Sequence, residues 1–549
     1  MGSYTQTLPC SLKRITLRGS AELLLLAIAA AFLLLHTIHL RADFPNHSPW
    51  MDWAKYTDEG WYGDAAIRHF QRGGWYVPGD FNPAAALPVW PLVEGAVFRI
   101  TGVNVVAARA LTVAIFGLIL TSVYLLVRRW QGRSSLVPAV AVLLLAVSPY
   151  CYAFSRMAIL EPMLILLTLL ALLAASSLPD LGAVKTSWLD WRRAIPSLAL
   201  ALLLPLMVLT KTTAVFLSPA IGWMVFARSG YKAKSVFKIG APIVALGILL
   251  WTAYYGLVVR PHFLSDYEYL FSANAYTGIT TQNAREVLRD TFEDGMWVGD
   301  LLYPLGLIAM TAMFFFRPQL LKNPLLTSFL LWILGYLGFI AYHNNLQPRY
   351  YLVLAVPFTV VPVIVLASFW SRWQGRPTVP FVAGAIGAAA LLVVAVTDAD
   401  QTIRYVRHPE YTFATAADRI RQIVESDHTH NPLVLSISGS DLSLMTGLPS
   451  ICDDFGTMEL EDRVKAYRPG WYVTWNQVDD DKMDALTPIY HLKRVASFPA
   501  MDDPERTLMI LYRLDPPEAI PRHRSRPRNI PQFLRTGFGQ QADPLQLQH

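Results

Sequence analysis

About eleven apolar stretches, each near the length that crosses a bilayer as a helix, run through residues 20–397 of this chain. A spanning helix needs roughly 20 apolar residues to traverse about 30 Å of hydrocarbon. Stretches near 20–40, 104–127, 136–153, 158–177, 195–210, 213–228, 236–258, 299–316, 325–342, 350–370 and 379–397 fit that rule. With 54% hydrophobic and 16% charged residues over 549 positions, a soluble globular chain is excluded. The expectation is a mainly α, polytopic membrane protein.

Charge tests the count. With the N-terminus inside, alternate connections carry Arg128, Arg129 and Arg133; Lys185, Arg192 and Arg193; Arg228, Lys232, Lys234 and Lys238; Arg317 and Lys322; and Arg372 and Arg376. That is the bias expected of cytoplasmic loops, and one missed span would scramble it. The net charge of +6 is therefore read as topology and not as a nucleic-acid surface. Lys13, Arg14 and Arg18 precede the first apolar run, whose small residues lie within it and not after it, so a retained signal anchor in the cytoplasmic membrane is expected. Cys10, Cys151 and Cys452 are widely spaced and imply neither a disulfide framework nor a zinc site.

Residues 1–399 thus form a membrane module with two long external loops, 41–103 and 260–298. In the first, Thr57 is a candidate N-cap for an interfacial helix reaching Arg72, with Tyr62, Ala65, Ala66, His69 and Phe70 on one face and Gly73-Gly74 as its stop. The stretch 87–100 is interrupted by Pro88, Pro91 and Glu94 and is expected to lie along the interface. Residues 400–515 read as an extracytoplasmic α/β domain, with a helix at 411–425 and strands at 433–438, 471–475 and 507–513. From 516 to 549 the composition of Pro, Arg and Gln predicts disorder.

Asp58 and Glu59 head the interfacial helix, among Tyr56, Trp61 and Tyr62. Unpaired N–H groups there favour a carboxylate that can take a proton from an incoming hydroxyl; the plain alternative is two solvated acids that stabilise the helix start. Asp52 and Asp64 nearby are read as structural. Further polar groups fall at helix ends on the same predicted side: Ser155-Arg156 before Glu161-Pro162, Lys211 in Thr210-Lys211-Thr212-Thr213, His343, and Arg349-Tyr350-Tyr351. Ionisable groups at membrane depth cost roughly 2.5–3.5 kcal/mol, so each asks for a reason. Singly, snorkelling to headgroups explains Lys211 and Arg349; together, the groups suggest a site for a lipid phosphate. Cations placed to receive a leaving phosphate stabilise the transition state more than the ground state.

The Asp-Glu pair in the first external loop, the Arg and acid from Ser155-Arg156 to Glu161-Pro162, and Arg349-Tyr350 after Gln347-Pro348 resemble the membrane-embedded GT-C glycosyltransferases. The likeness is closest to the protein mannosyltransferase and aminoarabinose transferase branch, glycosyltransferase family 39-like, and covers roughly residues 15–400. It implies a polyprenyl-phosphate-linked sugar as donor, an inverting transfer to a protein, lipid or glycan hydroxyl outside the cytoplasm, and no metal or other cofactor. Asp58 takes the catalytic position with Glu59 beside it. Lys211, Arg349, Arg156 and Tyr350 are candidates for the donor phosphate, and Tyr62, Glu161, His343, Tyr267 and Tyr269 for sugar or acceptor. One departure is plain: aminoarabinose transferases carry a Lys before prolines after the first interfacial helix, where this chain has Phe81-Asn82-Pro83. More of the phosphate then falls to Lys211 or Arg349, and lipid A is disfavoured as acceptor.

In the 260–298 loop, Tyr267, Tyr269, Tyr276 and Trp297 stand among Asp266, Glu268, Glu293 and Asp294. Aromatic faces stack on sugars, so a lid is one reading and interface anchoring the other. Asp453-Asp454 and Asp479-Asp480-Asp481 are read as solvated turns and not as a metal site. The rival class is a polytopic transporter or lipid flippase, which calls for repeated halves and charges deep within the spans.

Overall fold

A computed structural model describes residues 17–45, 47–55, 57–132, 135–179, 190–273, 283–343, 346–370, 379–436, 439–501 and 506–517. Tyr56, Tyr276, Lys13, Arg14, Arg133, Lys185, Arg372, Arg376 and residues 518–549 of the tail lie outside them. All eleven apolar stretches are helical, but among the described residues seven helices are long and apolar enough to cross a membrane. The number is eight if the pair Ala284–Val298 and Leu302–Phe316, bent by 115°, is one span. Gly19–Leu35 and Val137–Val147 are shorter. The count of about eleven spans is thus not confirmed, and the breaks have local causes. Ser148 stops one helix and caps the next, its hydroxyl accepting from Cys151 N at 3.2 Å ahead of Pro149. At Thr210-Lys211-Thr212-Thr213, β-branched residues favour extended backbone: Lys211 has φ −157° and ψ 126°, and a 3₁₀ turn, Thr212–Leu217, separates Trp191–Thr210 from Ser218–Arg228.

Basic loop residues gather at one end of the bundle. Arg129 donates to Ser177 Oγ at 2.7 Å, Arg228 to Leu178 O at 2.8 Å, and Arg128 pairs with Glu22. In the segment 41–103, helix Asp58–Arg72 ends on Gly73 in the left-handed region, φ 82°. The broken apolar stretch is a short helix, Val89–Thr101, with Trp90, Glu94 and Phe98 buried. It fits against the Asp58 helix through Gly63, where an added Cβ would stand 2.0 Å from Glu94 Oε2.

Beyond helix Val379–Arg407 the chain forms a five-stranded sheet in the order β2-β1-β3-β5-β4. The strands are β1 Val434–Ser436, β2 Ser450–Cys452, β3 Trp471–Trp475, β4 His491–Pro499 and β5 Leu508–Asp515. β1 pairs in parallel with β2 and β3, while β5 runs antiparallel to β3 and β4. The sequence missed β2 and β4. β2 is an edge strand whose outward backbone is capped by the membrane module: Arg72 donates to Ser450 O at 2.6 Å, and Cys452 N donates to Asp80 Oδ1 at 3.1 Å.

The sheet domain is therefore docked on the Asp58 helix. Asp43 caps helix Thr412–Ser426 from a distance, accepting from Phe413 N at 2.9 Å and Ala414 N at 3.1 Å. Leu444 and Cys452 belong to the same apolar cluster as the membrane helices. At Gly60 the approach is closest: a Cβ there would lie 1.9 Å from Asp441 N and 2.1 Å from Ser440 C, both backbone atoms that cannot swing away. Gly60→Ala is expected to destabilise the protein by about 1–3 kcal/mol through overpacking, read as a lower unfolding temperature in detergent. An unchanged temperature would mean that this docking is loose.

Candidate functional site

The Thr-rich break, the turn before Leu352 and the start of the Asp58 helix deliver polar side chains to one place. A cavity of about 1010 Å³ is lined by Asp58, Trp61 and Tyr62 from the interfacial helix, Lys211–Thr213 from the Thr-rich break, and His343, Gln347, Arg349 and Tyr350 around the 3₁₀ turn Pro348–Tyr351. Trp53, Phe81, Leu270, Phe271, Asp454 and Phe455 complete much of its wall.

At its centre, two carboxylates hold one guanidinium. Arg349 Nε lies 2.9 Å from Asp58 Oδ2, and Arg349 pairs through Nη1 with Asp52. Asp52 also accepts from Arg349 N at 2.7 Å and Ala54 N at 2.8 Å, so its role is to fix Arg349 in position. Thr57 Oγ1 is 3.1 Å from Asp58 Oδ1. Burial is the main cause that pushes the Asp58 pKa up, to about 6; Arg349 and Lys211 oppose the rise, and Asp52 and Glu161 add to it. A carboxyl group poised there can exchange a proton near neutral pH, which two solvated acids at a helix start would not do.

The second cation, Lys211, pairs with fully buried Glu161 and lies 4.4 Å from the Tyr350 ring centroid. Arg349 Cζ stands 4.8 Å from the same centroid, so one ring faces both cations. His343 meets Tyr350 edge-on at 5.8 Å. Asp58, Tyr62, Lys211, His343, Arg349 and Tyr350 thus share the cavity, with Glu161 behind Lys211.

Other candidates are placed elsewhere. Glu59 turns away from the cavity and is gripped by Arg109, Nε to Oε1 at 2.8 Å and Nη2 to Oε2 at 2.5 Å; Ala158 N also donates to it at 3.0 Å. Glu59 therefore stands outside the cavity that Asp58 lines, bound to Arg109 and to the stretch before helix Leu160–Ser177. Arg156 donates through Nη2 to the carbonyls of Ile38, at 2.9 Å, and His39, at 2.6 Å, and stacks on Tyr152, and it does not line the cavity. Tyr267 packs on Tyr255 and Phe271, and Tyr269 OH accepts from Gly456 N at 3.1 Å; neither lines the cavity, which Leu270 and Phe271 do instead. Trp297 is a strut and not a lid: its carbonyl accepts from Trp50 Nε1 at 3.1 Å, and its ring meets Tyr351 edge-on at 5.3 Å.

Sequence reasoning did not assign Phe81, Asp454 and Phe455 to the cavity, and it read Asp52 only as structural. Where a Lys was absent, Asn82 ties its loop to Arg68, Val77 and Asp266 and leaves Phe81 on the cavity wall. Among the described residues no group of three or more His, Cys, Asp or Glu is set to hold a metal ion.

No family model and no curated sequence matches the chain. Solved structures do. ArnT from Cupriavidus metallidurans bound to undecaprenyl phosphate superposes with a TM-score of 0.58 at 15% identity, covering 90% of this chain and 98% of that one. The same protein in the apo state gives 0.56 at 14% identity, with the same coverage. The oligosaccharyltransferase AglB from Archaeoglobus fulgidus, in complex with an inhibitory peptide and a dolichol-phosphate, gives 0.50 at 12% identity over 89% of this chain and 74% of that one. At such identities the likeness speaks to fold alone. Long apolar helices, a sheet domain docked on the segment 41–103 and these superpositions together make this chain a polytopic membrane protein with the GT-C fold.

Proposed function

We propose that the chain is an inverting glycosyltransferase that moves a sugar from a polyprenyl phosphate to an acceptor hydroxyl on the extracytoplasmic side of the plasma membrane. The observation that carries this reading is the convergence of Asp58, Arg349, Lys211 and Tyr350 on one cavity. Support comes also from the lipid phosphates named with ArnT and AglB. The rim of the cavity suits a polyprenyl chain: Trp53, Val215, Phe271 and Tyr342 line it yet are 42%, 58%, 46% and 57% exposed. The basic loop ends, which lie at the other end of the helices from the cavity, support this orientation.

In the proposed step, a carboxylate oxygen of Asp58 takes the proton of the acceptor hydroxyl, and that oxygen bonds to the anomeric carbon. The bond from this carbon to the phosphate oxygen breaks with its electron pair, so the phosphate gains negative charge. Lys211 keeps N–H donors beyond the one given to Glu161, and among the described residues Arg349 Nη2 is held by a 3.5 Å contact to Tyr350 OH. These groups receive the developing charge. Attack opposite the leaving group inverts the anomeric centre.

The test is to incubate the purified protein in nanodiscs with a panel of undecaprenyl-phosphate sugars and candidate acceptors. Release of undecaprenyl phosphate with an inverted glycoside by NMR is expected. A retained configuration would exclude direct displacement, and no transfer with any donor would remove the enzyme reading.

A further inference from the structure

We infer that the sheet domain supplies an acceptor subsite for a saccharide, built from Trp61, Phe81, Asp454 and Phe455. This rests on the proposed sugar transfer and names the acceptor class for the same cavity.

Three aromatic rings from three parts of the chain meet there. Phe455 meets Trp61 edge-on, centroids 5.0 Å apart, and Phe81 at 5.5 Å; Trp61 and Phe81 are 5.4 Å apart. All three line the cavity, as does the exposed side chain of Asp454. Aromatic rings offer flat apolar faces to the C–H faces of a sugar, and a carboxylate accepts from its hydroxyls.

The loop that carries Asp454 and Phe455 is held with a rigidity that a solvated turn does not need. Fully buried Arg463 donates to Cys452 O at 2.5 Å, Phe455 O at 2.6 Å and Met458 O at 2.8 Å. Met458 N donates to Gly79 O at 3.0 Å, and Tyr269 OH holds Gly456 N. Lys482 lies within ion-pair distance of Asp453, at 3.5 Å, and Asp479, at 3.2 Å, while Asp454 faces the cavity.

Position separates this wall from the donor's. The cations, Val215 and Tyr342 come from the membrane helices and the turns that join them, whereas Asp454 and Phe455 come from the domain beyond the last of them. A saccharide fits better than an extended peptide. Peptides add to an open strand edge or lie in a helix groove, yet the outward groups of β2 are already taken by Arg72 and Asp80, and among the described residues none that lines the cavity belongs to a strand.

The test reads binding, independently of turnover. Full-length protein loaded with undecaprenyl phosphate is exposed to methyl glycosides of common hexoses and pentoses and, separately, to Ser/Thr peptides, and contact is followed by saturation-transfer NMR. We expect at least one glycoside to bind. Phe455→Ala and Asp454→Asn each weaken it by about tenfold or more, as loss of one such contact implies. Phe455→Trp retains it, and undecaprenyl phosphate affinity stays the same in all three. Binding of peptides alone, glycoside binding unchanged in both variants, or a fall in undecaprenyl phosphate affinity would each overturn the subsite. Loss of lipid-phosphate binding by the wild type would instead strike the glycosyltransferase reading, so the two failures are distinct.

Discussion

Asp58→Asn lowers transfer by about a hundred- to ten-thousandfold while undecaprenyl phosphate binding and the unfolding temperature stay near wild type. The amide is isosteric and Asp52 still holds Arg349, but the group can no longer take a proton, and that is the size of a general-base contribution. The pH dependence has a definite sign. Burial holds the Asp58 pKa at about 6, and the base form is required, so wild-type kcat/KM falls tenfold per pH unit below that value. The mutant loses this limb. For stability the sign is opposite: the folded pKa lies above the unfolded one, so the native state binds the proton first as pH falls. This group's contribution therefore grows from about pH 6 down to the ordinary value of 3.8, and acid inactivation near pH 6 is not unfolding at Asp58. Near wild-type turnover in Asp58→Asn would sink the mechanism.

Lys211→Ala has the second large effect, in two measurements. Undecaprenyl phosphate affinity falls by about 10- to 100-fold, the worth of a hydrogen bond to a charged group. Stability falls by about 3–5 kcal/mol, because fully buried Glu161 loses its counter-ion. Combining Lys211→Ala with Glu161→Gln removes the stranded charge and restores the unfolding temperature, but not the affinity. If the double variant binds the lipid phosphate as wild type does, the phosphate is held elsewhere in the cavity.

Most of the site was legible because its residues sit where a local rule fails. Lys211 interrupts an apolar run among β-branched threonines, Arg349-Tyr350 follows Gln347-Pro348, and Asp58 begins a helix just after a span. Glu59 shows the limit. One residue along a helix is a turn of about 100°, which carries Glu59 from the cavity to Arg109. Arg156, with the same sequence credentials as Lys211, donates instead to the carbonyls of Ile38 and His39. Strand β4 escaped notice because its side chains are mostly exposed at a sheet edge, with no apolar alternation to read.

Taken by itself, the amino-acid sequence determined the membrane class and the helical stretches, because the cost of polar groups in lipid is local and large. Which acids face the cavity was decided only in three dimensions. Asp454 and Phe455 look like a solvated turn until the sheet domain docks on the Asp58 helix, nearly 400 residues earlier in the chain. Such docking rests on contacts between distant segments, such as Gly60 with Asp441 and Asp80 with Cys452, whose energies depend on shape and not on local composition.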